Sequence, residues 1–339
     1  MLRLALPSNP EWRDPTLAFL ESCGLGVQRP SARRYYGAIP SIPGISVLFQ
    51  RAADIPGKVE EGAVELGVAG LDRFSEIHVQ DGYGMTLIED LGFRRADLVI
   101  AVPESWLDVT ASTDLADIAV EFSDKGKQLR VATKYPMLAE RFLLSRNINR
   151  FVIVESGGTV EAAPAMGYAD IIVDITSTGT TLRENRLKTI DDGTVFSSQA
   201  CLIGNRHLLA QNPEALANAK VVLEMVEAKL RASGYYSIIA NIKGDSPQQV
   251  AAHVQEYPEI AGIEGPTVCQ VHSKEGSGDW YAVTMVVAKE KVITAVEHLR
   301  KLGGNGITVS STAYVFEGKC QAYERLLAAL GEESTAGDE

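Results

Sequence analysis

The stretch Ile171-Ile-Val-Asp-Ile-Thr-Ser-Thr-Gly-Thr-Thr-Leu182 decides how this chain reads. Its apolar start predicts a buried strand, 171–174, that delivers the Asp174 carboxylate at its C-terminal end. Thr176, Ser177, Thr178, Gly179, Thr180 and Thr181 follow, and a helix is predicted from Leu182. Hydroxyls, backbone N–H groups and a helix N-terminus together hold a phosphate. Gly179 admits close backbone approach or a positive φ. A carboxylate just before such a loop suits a sugar diol. On residue type alone, an ordinary Ser/Thr-rich helix cap fits equally well.

The same strand-then-helix rhythm extends outward on both sides. Upstream, 2–6, 45–50, 65–69, 98–102, 129–132 and 151–154 read as strands. Helices are predicted at 15–23, 53–61, 137–145 and 159–166. Alternation of this kind implies an α/β layer architecture with mainly parallel sheets. A strong helix follows at 213–231, with Asn212 as N-cap, Pro213 at the first helical position and Glu214 in the first turn. Beyond Gly234 the order changes to strand 236–242, helix 247–256, strands 267–271 and 280–287 around a 273–279 turn, helix 292–302 and strand 307–316. That β-α-β-β-α-β order is that of a ferredoxin-like domain. The tail, 331–339, is small and acidic and reads as flexible. The 123–128 stretch reads as an exposed turn whose Lys125 and Lys127 are solvated.

Composition narrows the function. The 339 residues carry 32 basic against 44 acidic side chains, a net charge of −12, with 45% hydrophobic and 22% charged residues. Such a chain can bury real cores, which excludes wholesale disorder. Its acidic balance opposes a general nucleic-acid partner but leaves room for a local basic pocket. No run of eighteen apolar residues predicts a membrane span. Residues 1–7 make a poor signal peptide, with Pro7 and Pro10 close behind a short apolar run. The cysteines, Cys23, Cys201, Cys269 and Cys320, lie far apart and read as free thiols of a cytoplasmic protein. The five histidines show no metal-ligand spacing, so no protein-built metal site is expected.

The decisive stretch, together with Glu155-Ser-Gly-Gly-Thr-Val-Glu-Ala-Ala-Pro-Ala-Met-Gly-Tyr-Ala-Asp170 before it, resembles the signature of the ATP phosphoribosyltransferase family. Arg51-Ala-Ala-Asp-Ile-Pro56 with Val59, Gly62, Leu66-Gly67 and Gly70-Leu-Asp72 is similar to a second run of that family. Arg130-Val-Ala-Thr-Lys-Tyr-Pro136 is similar to a third. The resemblance covers about residues 1–225, and the C-terminal part resembles the regulatory domain of the family's long form. It implies a two-lobed, periplasmic-binding-protein-like catalytic part plus a ferredoxin-like domain. Residues 1–97 and 190–231 would form lobe I, 98–189 lobe II and 232–330 the regulatory domain.

The implied reaction joins adenine N1 of ATP to the anomeric carbon of phosphoribosyl pyrophosphate, with magnesium on the departing pyrophosphate. It opens histidine biosynthesis. Such chemistry rests on positioning and electrostatics rather than a covalent nucleophile. Carried over by position, Asp174 would bind the ribose hydroxyls. Ser177, Thr178, Gly179, Thr180 and Thr181 would cradle the 5′-phosphate. Arg51 would face phosphates, Glu161 would contact substrate, and Asp72 and Tyr135 would lie near the nucleotide. Mg2+ would be held largely by substrate oxygens. Histidine would inhibit through the C-terminal domain, and dimers would build a homo-hexamer.

One loop departs from the family pattern. Asn9, Pro10 and Glu11 stand where the family carries Lys-Gly-Arg. Two cations are lost and a carboxylate is gained. Pro10 also lacks an N–H to offer. Arg13 is the expected replacement on the nucleotide side. The same departure motivates the alternative of a catalytically weak or inactive paralogue acting as a ligand sensor or regulatory subunit. A third alternative, an exported solute-binding protein, shares the two-lobed fold.

Overall fold

In a computed structural model, strand Leu2–Pro7 lies at the middle of a sheet and is apolar at nearly every position. The structure describes residues 1–31, 34–156, 158–257, 262–263, 265–272 and 279–336, with side chains to 331. Strand Leu2–Pro7 pairs in parallel with Ile45–Gln50 on one side and Leu66–Gly70 on the other. Antiparallel strands Ala200–Asn205 and Gly84–Ile88 extend this sheet, and the short strand Tyr36–Ala38 caps its far edge, making six. Leu2, Leu4, Ala5, Leu6, Val47, Phe49, Leu66 and Val68 are all buried. Each large apolar side chain removed from water contributes roughly 1.5–3 kcal/mol. Glu65 is the exception among them, 4% exposed, and Arg3 meets it in a forked ion pair at 2.6 Å.

A second sheet has five strands in the order Leu187–Ser198, Ala96–Pro103, Ile171–Thr176, Leu129–Thr133, Phe151–Glu155. Its core, with Ile100, Val102, Val131, Leu143, Ile171 and Val173, packs under helices Ser112–Asp124 and Pro136–Ser145. Both sheets are mixed, which corrects the expectation of mainly parallel ones. The reason is that Ala96–Pro103 runs against both its neighbours in the second sheet, while Ala200–Asn205 and the edge strand Tyr36–Ala38 run against theirs in the first. After strand Leu187–Ser198 the chain enters the first sheet directly as Ala200–Asn205. The chain therefore leaves the second sheet at Gln199. Residues 190–198 belong to the second sheet, not to the first lobe where the sequence reading placed them.

The chain divides into two compact units, 1–223 with 322–339 and 224–321. The smaller unit orders its antiparallel strands Thr267–Gln270, Trp280–Ala288, Tyr235–Lys243, Asn305–Ser311. Numbered along the chain, that is 2-3-1-4, the ferredoxin-like arrangement. Helices Pro247–Gln255 and Val292–Lys301 pack Val250, Val254, Ala295 and Leu299 onto Ile238, Val283 and Met285. The last strand stops at Ser311, short of the expected 316. Much of the 273–279 turn lies outside the described residues. A helix, Gln321–Ala336, occupies much of the stretch read as a flexible tail. Helix Pro213–Ala232 starts as its sequence predicts, with Asn212 Oδ1 accepting from Ala215 N–H at 3.1 Å. Among the described residues no helix is long and apolar enough to cross a membrane.

Candidate active site

The C-terminal ends of strands from both sheets open on one cavity of about 920 Å³. Strand Ile171–Thr176 brings Asp174 to its wall. Ile175 N–H donates to Asp174 Oδ1 at 2.8 Å. Burial, followed by the nearby Glu161 charge, raises the Asp174 carboxyl above its ordinary value despite that bond and despite Lys134. A group so placed gains from a hydroxyl donor or a cation.

Ser177, Thr178, Thr180 and Thr181 continue the wall. Gly179 adopts φ 69, which its lack of a Cβ permits, and its N–H donates to Thr176 Oγ1 at 2.9 Å. The Thr178 and Thr180 hydroxyls are 3.0 Å apart, and Arg183 Nη2 donates to Thr180 Oγ1 at 3.2 Å. The helix that follows, Thr180–Glu184, starts two residues earlier than expected and has only five residues. Hydroxyls, loop amides and Arg183 therefore outweigh any helix dipole here. Glu161 reaches the cavity from a single 3₁₀ turn, Val160–Ala162, rather than from a continuous helix.

The opposite wall belongs to the first sheet. Arg51 follows strand Ile45–Gln50, and Asp72 opens helix Leu71–Ile77 after strand Leu66–Gly70. Tyr135 Oη donates to Asp72 Oδ2 at 2.6 Å, and Ser198 Oγ donates to Asp72 Oδ1 at 2.6 Å. Burial, then the Asp72 charge, pushes the Tyr135 phenol far above its ordinary value, so it stays protonated. Arg73 stacks over the Tyr135 ring at 4.3 Å and donates to the Lys134 carbonyl at 3.2 Å. Glu76 accepts from Met137 N–H and Leu138 N–H at 2.8 and 3.0 Å. One short helix of the first sheet thus clasps the start of helix Pro136–Ser145 in the second.

Of the residues singled out in the sequence, the cavity gathers Arg51, Asp72, Tyr135, Glu161, Asp174, Ser177, Thr178, Thr180 and Thr181. Arg13 does not line it and instead pairs with its neighbour Asp14 at 2.8 Å. Trp12, Arg73, Arg94, Arg95, Lys134 and Ser198, which the sequence alone does not single out, also line the cavity. Lys134 sits within a quoted motif, so its position was a signal. The others depend on contacts distant in sequence. Among the described residues no disulfide joins the four cysteines, and burial raises the Cys201 thiol far above its ordinary value.

The family model described as ATP phosphoribosyltransferase matches residues 51–228, and that of its C-terminal domain matches 232–313. The chain is 36% identical over 335 residues to ATP phosphoribosyltransferase 1, chloroplastic, of Arabidopsis thaliana, covering 97% of this chain and 81% of that protein. It is 35% identical over 333 residues to the ATP phosphoribosyltransferase of Bradyrhizobium sp. (strain ORS 278), covering 97% and 98%. A solved ATP phosphoribosyl transferase complex from Thermotoga maritima superposes with a TM-score of 0.50 at 23% identity, covering 67% of this chain and 98% of that one. That last likeness speaks for the fold alone. With both family models matched in chain order and curated relatives above 30% identity along nearly its whole length, the chain belongs to the ATP phosphoribosyltransferase family, pentosyltransferases that join phosphoribosyl pyrophosphate to ATP in the first step of histidine biosynthesis.

Proposed function

We propose that the cavity between the two sheets is where this chain performs that transfer, with the hydroxyl loop and the Asp72 wall holding one substrate each. The observation that carries the reading is that Asp174, Ser177, Thr178, Thr180 and Thr181 and the Arg51, Asp72 and Tyr135 wall, far apart in sequence, line a single cavity of about 920 Å³. Asp174 accepts from the ribose hydroxyls, and Ser177, Thr178, Gly179, Thr180 and Thr181 take the 5′-phosphate. Arg51 faces the pyrophosphate. Asp72 and Tyr135 border the nucleotide, and Glu161 contacts substrate near Asp174.

Both substrates carry negative charge near the reacting atoms. Arg51, Arg73, Arg94 and Lys134 on the walls offset that charge when the substrates meet. Holding adenine N1 in line with the anomeric carbon is then the main demand. Among the described residues no cluster of three or more carboxylates, histidines or cysteines could hold a metal ion alone. The site fits Mg2+ in the way that ion prefers, through substrate oxygens with one or two carboxylates. Asp174 and Glu161, which both line the cavity, are the carboxylates that fit, and a cation would offset the burial that raises the Asp174 carboxyl. Magnesium, when bound, neutralises charge on the departing pyrophosphate.

Inhibition by histidine through the ferredoxin-like unit, a homo-hexamer built from dimers and a cytoplasmic location complete this reading. The experiment is ATP-dependent pyrophosphate release from phosphoribosyl pyrophosphate with magnesium, with and without histidine. Release that needs ATP and falls with histidine supports the catalytic and regulatory parts together. No release from folded protein defeats the catalytic part and favours the inactive paralogue. A single monomer mass by light scattering at all concentrations defeats the oligomer.

A further inference from the structure

Two residues of the cavity wall form a pair that neither motif nor family resemblance pointed to. Arg94 holds φ 59, one of three non-glycine positive values among the described residues. A residue with a Cβ is disfavoured there, so something fixes the turn. Phe93 carbonyl accepts from Ala200 N–H at 3.0 Å, which pins the turn to the first sheet. The Phe93 ring meets Phe19 at 5.4 Å, and the Arg94 guanidinium lies 4.9 Å over the Trp12 ring. Trp12 and Phe19 are seven residues apart on helix Pro10–Ser22, two turns along one face. Consecutive residues of the turn therefore grip one side of that helix. The indole is itself held, since a Cβ on Gly70 would lie 3.2 Å from Trp12 Cη2.

The neighbouring arginine is used differently. Arg95 pairs with Asp90 at 2.5 Å, whereas Arg94 has no carboxylate partner among the described residues. A guanidinium stacked on an indole loses little freedom when it donates to an oxyanion, because its fork is already oriented. We propose that Arg94, positioned by Trp12, binds a phosphate of the nucleotide and supplies the positive charge that Asn9, Pro10 and Glu11 do not. The nucleotide is the partner because Arg94 and Trp12 share the wall of Gly70 and Asp72, while the hydroxyl loop that suits the sugar phosphate comes from the other sheet. This inference rests on the proposed reading of the cavity.

The test compares Arg94→Gly with the unmodified enzyme. Glycine accepts φ 59, so the thermal midpoint should hold or rise. KM for ATP should rise roughly tenfold, as for the loss of one charge-assisted hydrogen bond, with KM for phosphoribosyl pyrophosphate within about twofold. Trp12→Leu should repeat that selective effect and Trp12→Phe should largely spare it, as expected of a positioning residue. Glu11→Arg added to Arg94→Gly should recover part of the ATP affinity. An unchanged KM for ATP, or a rise confined to or shared with phosphoribosyl pyrophosphate, overturns the assignment. Calorimetric titration of ATP reads the same contrast without turnover. Unmodified protein that binds ATP but releases no pyrophosphate sinks the proposed function while Arg94→Gly still decides this inference. Unmodified protein that binds no ATP sinks both.

Discussion

The Tyr135 phenol donates to Asp72 Oδ2 at 2.6 Å, across 63 residues of sequence and from one sheet to the other. Removing it with Tyr135→Phe leaves Asp72 with Ser198 Oγ and its own wall. A hydrogen bond to a charged acceptor contributes roughly 1.5–3 kcal/mol. The thermal midpoint should fall by a few degrees, about what that loss implies for a unit of this size. KM for ATP should rise with it. A variant with an unchanged midpoint would mean the bond is made only in a minor arrangement of the two sheets.

Gly70 has a steric reason to be glycine. A Cβ there would lie 2.4 Å from Asp72 Oδ1 and 3.2 Å from Trp12 Cη2. Gly70→Ala must therefore displace the carboxylate, the indole or both, at a cost of about 1–3 kcal/mol typical of overpacking. Activity should fall more than stability, because both displaced groups border the cavity. Melting curves and steady-state kinetics on the same preparation would separate the two.

Asp174→Asn should lower kcat/KM by roughly 10–100-fold by removing a charged acceptor. The pH profile carries the sharper prediction. Burial, then Glu161, raises the Asp174 carboxyl above 3.8, and the ionised form is the one that accepts from hydroxyls. Activity should therefore decline on acidification at a pH above the ordinary carboxylate range. The asparagine variant should lack that limb. A profile identical in both proteins would remove Asp174 from the site.

Acid should loosen the second sheet through different carboxylates. Burial pushes the Asp170 carboxyl up, but the guanidinium and backbone N–H of Arg130 outweigh it and hold it below 3.8. Asp114 is held down by the N–H groups of Thr110 and Ala111, and Asp192 chiefly by the Ser112 hydroxyl. A depressed carboxyl contributes stability that is complete above its unfolded value and lost as the pH falls through its folded one. The thermal midpoint should thus decline below about pH 4. Arg130→Ala should lower the neutral midpoint and flatten that decline, measurable by circular dichroism between acid and neutral buffers.

What the sequence made legible was local. Ile171–Thr176 with its hydroxyl loop declares itself by composition, and Asn212-Pro213-Glu214 marks a helix start. Strand Leu187–Ser198 escaped because Asp191-Asp192-Gly193 interrupts its apolar pattern, where the register also shifts. Strand Tyr36–Ala38, three residues on a sheet edge, carries too little periodicity to be seen. The site divides along the same line. Asp174 and Thr178 lie in one run, whereas Arg94 matters through Trp12, and Arg73 through Tyr135 and Lys134. Those pairings come from how the sheets meet, which no short window of sequence contains.

The two chain crossings between the sheets have a mechanical consequence. Ala96 and Ser198, at the edges of those crossings, are register partners in one antiparallel pair. Hinges between lobes are a few residues at element ends that absorb the backbone change, and a paired crossing of this kind forms such a strap. Closing about that strap would carry the hydroxyl loop toward the Asp72 wall. Ser198 is also the residue whose hydroxyl bonds Asp72. The strap therefore ends on a carboxylate of the cavity wall, and a ligand that drew Asp72 away would tug on the fulcrum itself.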